Sequence, residues 1–461
     1  MNVSLINSPV RLNDLPRVPP IGLAIIANVL RASGNNVRVV DVNADRKLVN
    51  NLKEVVAMVN DADIIGVSGM ITTYAFQKEL ARKLRSAYPD KFLVSGGSLA
   101  TSVPNLVLEK TVFDAVCIGE GETSMLDLVS RLEKGDNETP VPGFWIRRHD
   151  GVHKFEARQL VADLDNLPLP GYDLLDMEVY LNNYKWNKDE GRSACIITSR
   201  GCPFNCIFCY RIFGKGIRFR SMKSLAVEIA YLKSVFGIKY VAMVDDNATS
   251  DKGRLLEICE LMKREGLRWG CHGRVDSASE EVFAIMKDSG CNFLGMGIES
   301  GSRKILRNMN KRVSKKQIEK AIKLQRKNGF GGNSYIFGGP GENLFTIFET
   351  AIFLGRLYEI VPGMFTMTAY PGTLLYEKAV KDGKIGDLEG YLLQLEDADK
   401  FLVNFSDIPD AYFEVAKKFQ IWLIRFFAFV FHPFRFLHDY RYVITGCVRH
   451  LFCLPDHWRF S

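Results

Sequence analysis

Residues 199–210 read Ser199-Arg200-Gly201-Cys202-Pro203-Phe204-Asn205-Cys206-Ile207-Phe208-Cys209-Tyr210. Three of the chain's ten cysteines fall in this stretch, spaced C-x₃-C-x₂-C. Thiolates are the usual ligands of iron–sulfur clusters. A [4Fe–4S] cluster takes four ligands and this loop supplies three, which leaves one iron open to a non-protein ligand. Gly201 and Pro203 suit a tight loop, and the apolar residues between the cysteines would shield a cluster and tune its potential. A structural zinc loop would want a fourth Cys or His and close ligand pairs. Cys195 precedes the loop on a predicted strand and makes a poor fourth ligand.

Downstream, strand and helix patterns alternate. Strands are predicted at 195–198, 240–244, 268–272, 293–298, 332–337 and 365–369, with helices at 226–236, 254–265, 280–289, 315–328 and 344–357. Six such units suit a partial (β/α)₆ barrel. The strand ends carry polar or glycine-rich residues: Asp245-Asp246-Asn247, Arg274, Glu299-Ser300, Gly338-Gly339-Pro340-Gly341-Glu342 and Pro371-Gly372-Thr373. Each alone reads as a turn or cap. Together, at the carboxyl ends of five strands, they are what a barrel active site needs.

The loop and these strand ends resemble the radical S-adenosylmethionine (radical SAM) superfamily. The resemblance implies that Cys202, Cys206 and Cys209 hold a [4Fe–4S] cluster whose open iron binds the amino and carboxylate groups of SAM. It places Tyr210 against the adenine and Asp245 and Asp246 near the methionine amine. Arg274 would meet the methionine carboxylate, which suits a guanidinium. Glu299 and Ser300 would reach the ribose, and the bare backbone of Gly338 and Gly339 would admit the adenine. An electron donor such as flavodoxin or ferredoxin is implied as well.

The first part of the chain has the same alternation. Strands are predicted at 3–6, 37–40, 63–67, 92–94 and 114–118, with helices at 21–30, 48–59, 76–87 and 123–132. This is a parallel, doubly wound pattern, whose ligands sit at the carboxyl ends of strands. Those ends carry Ser68-Gly69, Gly96-Gly97 and Gly119-Glu120-Gly121. With Pro19-Pro20-Ile21-Gly22-Leu23 and Met70-Ile71-Thr72-Thr73, they resemble the cobalamin-binding domain fused to one large radical SAM subgroup. The resemblance implies that Ser68, Thr72, Thr73, Gly96, Gly97, Gly119 and Glu120 surround cobalamin. Many cobalamin proteins insert a His from a D-x-H-x-x-G loop beneath the cobalt. No His precedes His149 here, so this domain supplies none.

The expected organisation is α/β throughout: a Rossmann-like cobalamin-binding domain at 1–145, a linker at 146–190, the radical SAM barrel at 191–385 and a mainly helical region at 386–461. The linker carries the turn-prone Leu167-Pro168-Leu169-Pro170-Gly171. In the last region, residues 417–449 mix aromatic and basic side chains. They read as a core helix over the barrel mouth, or as an amphipathic element that roofs an apolar substrate or touches a membrane surface.

A formal charge of +7 without a basic stripe argues against nucleic acid. Residues 1–9 lack an export pattern, and no segment reaches the length of a membrane-spanning helix, so a reducing cytosol is expected. The resemblance implies methylation of an unactivated carbon of a small, apolar substrate through a 5′-deoxyadenosyl radical and methylcobalamin. A non-methylating radical cyclase and a non-catalytic cobalamin or SAM sensor are the alternatives. A methylthiotransferase would need a second three-cysteine cluster, and only Cys117 precedes Cys195.

Overall fold

Val3, Leu5 and Ile6 alternate with polar neighbours and are buried on both faces of the first strand. That is the pattern of a strand inside a parallel sheet covered by helices on both sides. The computed structural model describes residues 1–12, 14–136, 139–182, 191–360, 363–395 and 400–439. The first sheet contains β1 (Asn2–Asn7), β2 (Asn36–Asp41), β3 (Ile64–Gly69), β4 (Phe92–Gly96), β5 (Ala115–Cys117), β6 (Phe144–Arg148) and β7 (Gly151–Lys154), in the order β2-β1-β3-β4-β5-β6-β7. The first five strands are parallel, as expected.

The last two are antiparallel and extend the sheet into the stretch read as linker. The expected boundary after residue 145 therefore falls inside β6. Asp150-Gly151, a dipeptide that favours tight hairpins, turns the chain, and Lys154 sits 4.5 Å from the Trp145 ring centroid. The helix expected at 48–59 is a 3₁₀ turn, Arg46–Asn50, followed by a short helix, Leu52–Ala57. Asn51 between them adopts φ −122° and ψ 59°, outside the helical region.

The second sheet holds β8 (Ser193–Ile196), β11 (Tyr240–Met243), β12 (Arg268–Gly273), β13 (Cys291–Glu299), β14 (Ser334–Phe337) and β15 (Gly363–Thr366), adjacent in that order and all parallel. This is the expected six-stranded partial barrel. A two-stranded ribbon, β9 (Ser199–Arg200) with β10 (Arg218–Phe219), braces the cysteine loop from both sides. Trp269, Cys271, Leu294, Met296 and Phe337 point outward into the helix layer and are buried there.

The opposite face of β8 and β11 presents Cys195, Tyr240 and Ala242, which pack against Ile21 and Ile25. Those two belong to helix Ile21–Ala32 of the first sheet's layer. One part of the molecule thus closes the open side of the other's barrel.

Helix Phe413–Phe431 begins at the barrel mouth, where Phe413 meets Phe337 at 5.0 Å. It then runs along helix Leu344–Arg356 on the outside. A side chain at Gly355 would lie 2.5 Å from Phe427 Cβ, so this contact requires glycine. The remainder of the aromatic segment, residues 440–461, lies outside the described residues. Among the described residues, no helix is long and apolar enough to cross a membrane.

Candidate active site where two sheet edges meet

The cysteine loop is shaped by its glycine and by long-range backbone ties. Gly201 has φ +96°, and a Cβ there would sit 2.4 Å from the Gly216 carbonyl oxygen. Ile207 N–H donates to Met309 O at 3.1 Å, and Leu375 N–H donates to Ile207 O at 2.9 Å. Asn310 Nδ2 donates to Asn205 O at 2.6 Å. These ties leave Cys202 half-buried, Cys206 buried and Cys209 exposed, all with free thiols.

Cys206 and Cys209 share a hydrogen bond, which pushes the Cys206 thiol down to about 6, helped by the nearby charges of Lys311 and Arg274. The same contact pushes Cys209 up, and burial pushes Cys202 up. Among the described residues, no three Cys, His, Asp or Glu side chains converge on one ion position. In a cubane each thiolate binds a different iron, so the three sulfurs need not converge on one point.

Two cations stand beside Cys206. Arg274 Nη1 lies 3.7 Å from its sulfur. The same guanidinium is held by Asp276 at 3.1 Å and by Lys311 O at 2.8 Å, and lies 3.5 Å from the Phe204 ring centroid. Lys311 is buried and pairs with Glu299 at 2.6 Å. Glu299 holds a left-handed φ of +65°, a conformation that costs a non-glycine residue and persists only where its surroundings impose it. The sequence had no signal for Lys311: it follows a short helix, Arg303–Asn308, and reaches the cluster loop only through the fold.

Several expected ligand contacts have other uses. The Asp245 carboxylate accepts from Thr198 N–H and Oγ1, both at 2.6 Å, and from Ser199 N–H at 2.9 Å. It therefore anchors the loop entry rather than standing open to an amine, and burial pushes it up to about 6. Asp246 is exposed and accepts from Gly201 N–H at 3.1 Å through one oxygen. The Ser300 hydroxyl is buried against Thr350 at 3.2 Å and accepts from Ser302 N–H. Gly338 and Gly339 are glycines for packing: added Cβ atoms would lie 2.5 Å from Phe413 and 2.7 Å from Met309. Their N–H groups donate to the buried Glu342, at 2.6 and 3.3 Å. Burial pushes Glu342 up to about 7.

The front sheet's carboxyl edge is built differently. Side chains at Gly96 or Gly119 would meet nothing within 4 Å, so both leave open space at the edge. Gly97 is a packing glycine, with φ +83° and an added Cβ 2.6 Å from Gly69 O. Ser68 and Thr72 are half-buried at this edge. The Thr73 hydroxyl donates to Met70 O and accepts from Gln77, so it braces the loop. Glu120 departs most from expectation. Its carboxylate takes Arg200 at 2.8 Å, Arg218 at 2.8 and 2.9 Å, and Val161 N–H at 2.7 Å. Arg200 also binds Glu122 at 2.6 Å. Glu120 is therefore a buried clamp from the front edge to β9, directly before the cysteine loop.

Tyr210 lies at the same junction. Its hydroxyl donates to Ser98 O at 3.3 Å, and its ring fills the space over Gly372. The front edge and the cysteine loop therefore meet at Tyr210. Strand alternation also turns His272 into the barrel lumen, opposite Cys271 and Trp269. His272 is solvent-accessible in the lumen, donates to the Gly295 backbone and meets Phe293 edge-on at 5.6 Å; desolvation by the surrounding walls pushes it down to about 4, so it is neutral at pH 7.

The residues present fit three groups: thiols flanked by two cations for a cluster, an exposed carboxylate for the SAM amine, and an open glycine edge with small hydroxyls for cobalamin. Comparison with known proteins agrees. Residues 196–354 match the radical SAM superfamily, and residues 8–129 match the B12 binding domain. An uncharacterised methyltransferase of Pyrococcus horikoshii is 33% identical over 369 residues, 78% of each chain. The anaerobic magnesium-protoporphyrin IX monomethyl ester cyclase of Rubrivivax gelatinosus is 26% identical over 94% of this chain and 78% of its own. The radical SAM methyltransferase TsrM from Kitasatospora setae, solved with cobalamin and a [4Fe–4S] cluster, shares the fold with TM-score 0.73 at 17% identity, over 92% of this chain and 88% of that one.

Fold and site define a two-part α/β enzyme that brings a cobalamin edge to an iron–sulfur loop. The chain belongs to the cobalamin-dependent radical SAM family, with a [4Fe–4S] cluster, SAM and cobalamin as its cofactors.

Proposed function

We propose that this enzyme methylates an unactivated carbon of a small-molecule substrate. When bound, the cluster and SAM supply a 5′-deoxyadenosyl radical, and cobalamin supplies the methyl group. Cys202, Cys206 and Cys209 hold the cluster, with Arg274 and Lys311 offsetting the negative charge of its thiolates. Asp246 receives the SAM amine. Arg274 meets the SAM carboxylate from a position already fixed by Asp276. Ser68, Thr72, Gly96 and Gly119 line the cobalamin edge. The neutral His272 accepts a hydrogen bond from the substrate in the lumen.

What supports this reading is the contact between the two edges: Tyr210 of the cysteine loop is bonded to Ser98 of the front edge. Carbon methylation needs hydrogen abstraction and methyl delivery at one substrate carbon, and two adjoining edges suit both. The methyltransferase relative supports it. An electron donor such as flavodoxin or ferredoxin would reduce the cluster.

A radical cyclisation is the second reading, favoured by the length of the cyclase match, which spans 447 residues. Product mass separates the two. The anaerobically reconstituted enzyme is incubated with SAM, methylcobalamin and candidate apolar substrates. A gain of one methylene supports methylation. A change in hydrogen or oxygen alone replaces it with cyclisation or oxidation.

A further inference from the structure

Helix Phe413–Phe431 uses one face for the fold: Phe413, Ala416, Leu423, Ile424 and Ala428 are buried against the layer beneath. The other face is apolar and exposed. Trp422 is 56% exposed and Phe426 44%, at helical spacing. Helix Leu344–Arg356 beside it presents Phe345, Phe348 and Ile352 one turn apart, with Phe345 87% exposed. Ring contacts join the two stripes: Phe348 to Phe419 at 6.0 Å, Phe419 to Trp422 at 6.0 Å and Trp422 to Phe426 at 5.4 Å. Soluble proteins rarely expose a continuous apolar face of this extent without a partner.

Charge identifies the partner. Among the described residues 412–439, Lys417, Lys418, Arg425 and Arg435 stand against Glu414 and Asp439. On the described part, Lys418 and Arg425 flank the aromatic stripe and are exposed. Nearby carboxylates are engaged: Glu349 pairs with Lys315 at 3.2 Å and Asp439 accepts from Tyr358 at 2.7 Å. Glu414 is the exposed acid at the start of the helix. A second copy would bring two basic faces together. Anionic lipid headgroups complement the cations, while Trp and Phe enter the headgroup–acyl boundary.

We propose that this two-helix face docks on an anionic lipid surface. Docking through this face holds the enzyme at a membrane surface, and is independent of which reaction the site performs.

The test is vesicle flotation of the anaerobically reconstituted full chain. Phosphatidylcholine vesicles are compared with phosphatidylcholine–phosphatidylglycerol vesicles at low and high salt. The enzyme is expected to float with the mixed vesicles, to bind neutral ones about tenfold less, and to be released by salt. Trp422→Glu with Phe426→Glu, and separately Phe345→Ser, should weaken flotation about tenfold or more while iron content and deoxyadenosine formation stay at wild-type levels. The proposal is overturned by absence of flotation, by equal binding to both vesicle types, by variants that float like wild type, or by a dimer in sedimentation velocity that the double variant abolishes without any vesicle binding.

Discussion

The two edges that meet at Tyr210 solve opposite problems. The barrel edge is crowded and charged: Arg274, Lys311, Glu299 and Asp276 interlock beside Cys206. The front edge is sparse, with two glycines opening on empty space and small hydroxyls around them. A cluster and a zwitterion are compact and need fixed countercharges in a low-dielectric setting. A corrinoid is large and needs room for its backbone contacts more than charge. The carboxylates of the front edge's Gly119–Glu122 stretch, Glu120 and Glu122, are withdrawn into the clamp with Arg200 and Arg218.

The contrast can be broken at its strongest point by Cys206→Ser. Loss of one of three protein ligands should abolish SAM cleavage, measured as 5′-deoxyadenosine under reductant, and lower bound iron. Retained deoxyadenosine would remove the cluster assignment. Lys311→Met should rank next, because it leaves the Glu299 carboxylate buried without its partner. Removing one member of a buried ion pair costs about 3–5 kcal/mol, read as a lower thermal unfolding midpoint and poorer cluster loading. Adding Glu299→Gln should recover part of that loss.

At the front edge, Gly96→Val sharpens the comparison. Its φ of −136° is extended and its surroundings are open, so the fold should tolerate the side chain. Retained cobalt should fall about tenfold after desalting, with iron unchanged. Gly97→Ala should act differently: φ +83° and contact with Gly69 O make it a folding defect of roughly 1–2 kcal/mol.

The smallest effect concerns Glu342. Its folded pKa lies above the unfolded value, so the unfolded chain releases its proton first as pH rises. Stability is then lost between about pH 4.5 and 7, on the order of 1–3 kcal/mol, and is flat above. Glu342→Gln should flatten that slope when unfolding midpoints are compared at acid and neutral pH.

Much of this molecule is local information. The C-x₃-C-x₂-C spacing, the βα alternation in both parts and the glycines after β3 and β4 are contiguous patterns, and each could be read from neighbours in the chain. The hairpin β6–β7 turns at Asp150-Gly151 inside the stretch the sequence reads as linker. What tertiary structure alone decided are the pairings across long separations. Glu120 meets Arg200 eighty residues away, Tyr210 meets Ser98 across the two sheets, and Lys311 arrives beside Cys206 from a different strand connection. A charged residue at a strand end serves a ligand or a partner side chain equally well in sequence. Burial decides, because a carboxylate taken out of water must find its cations wherever the fold brings them.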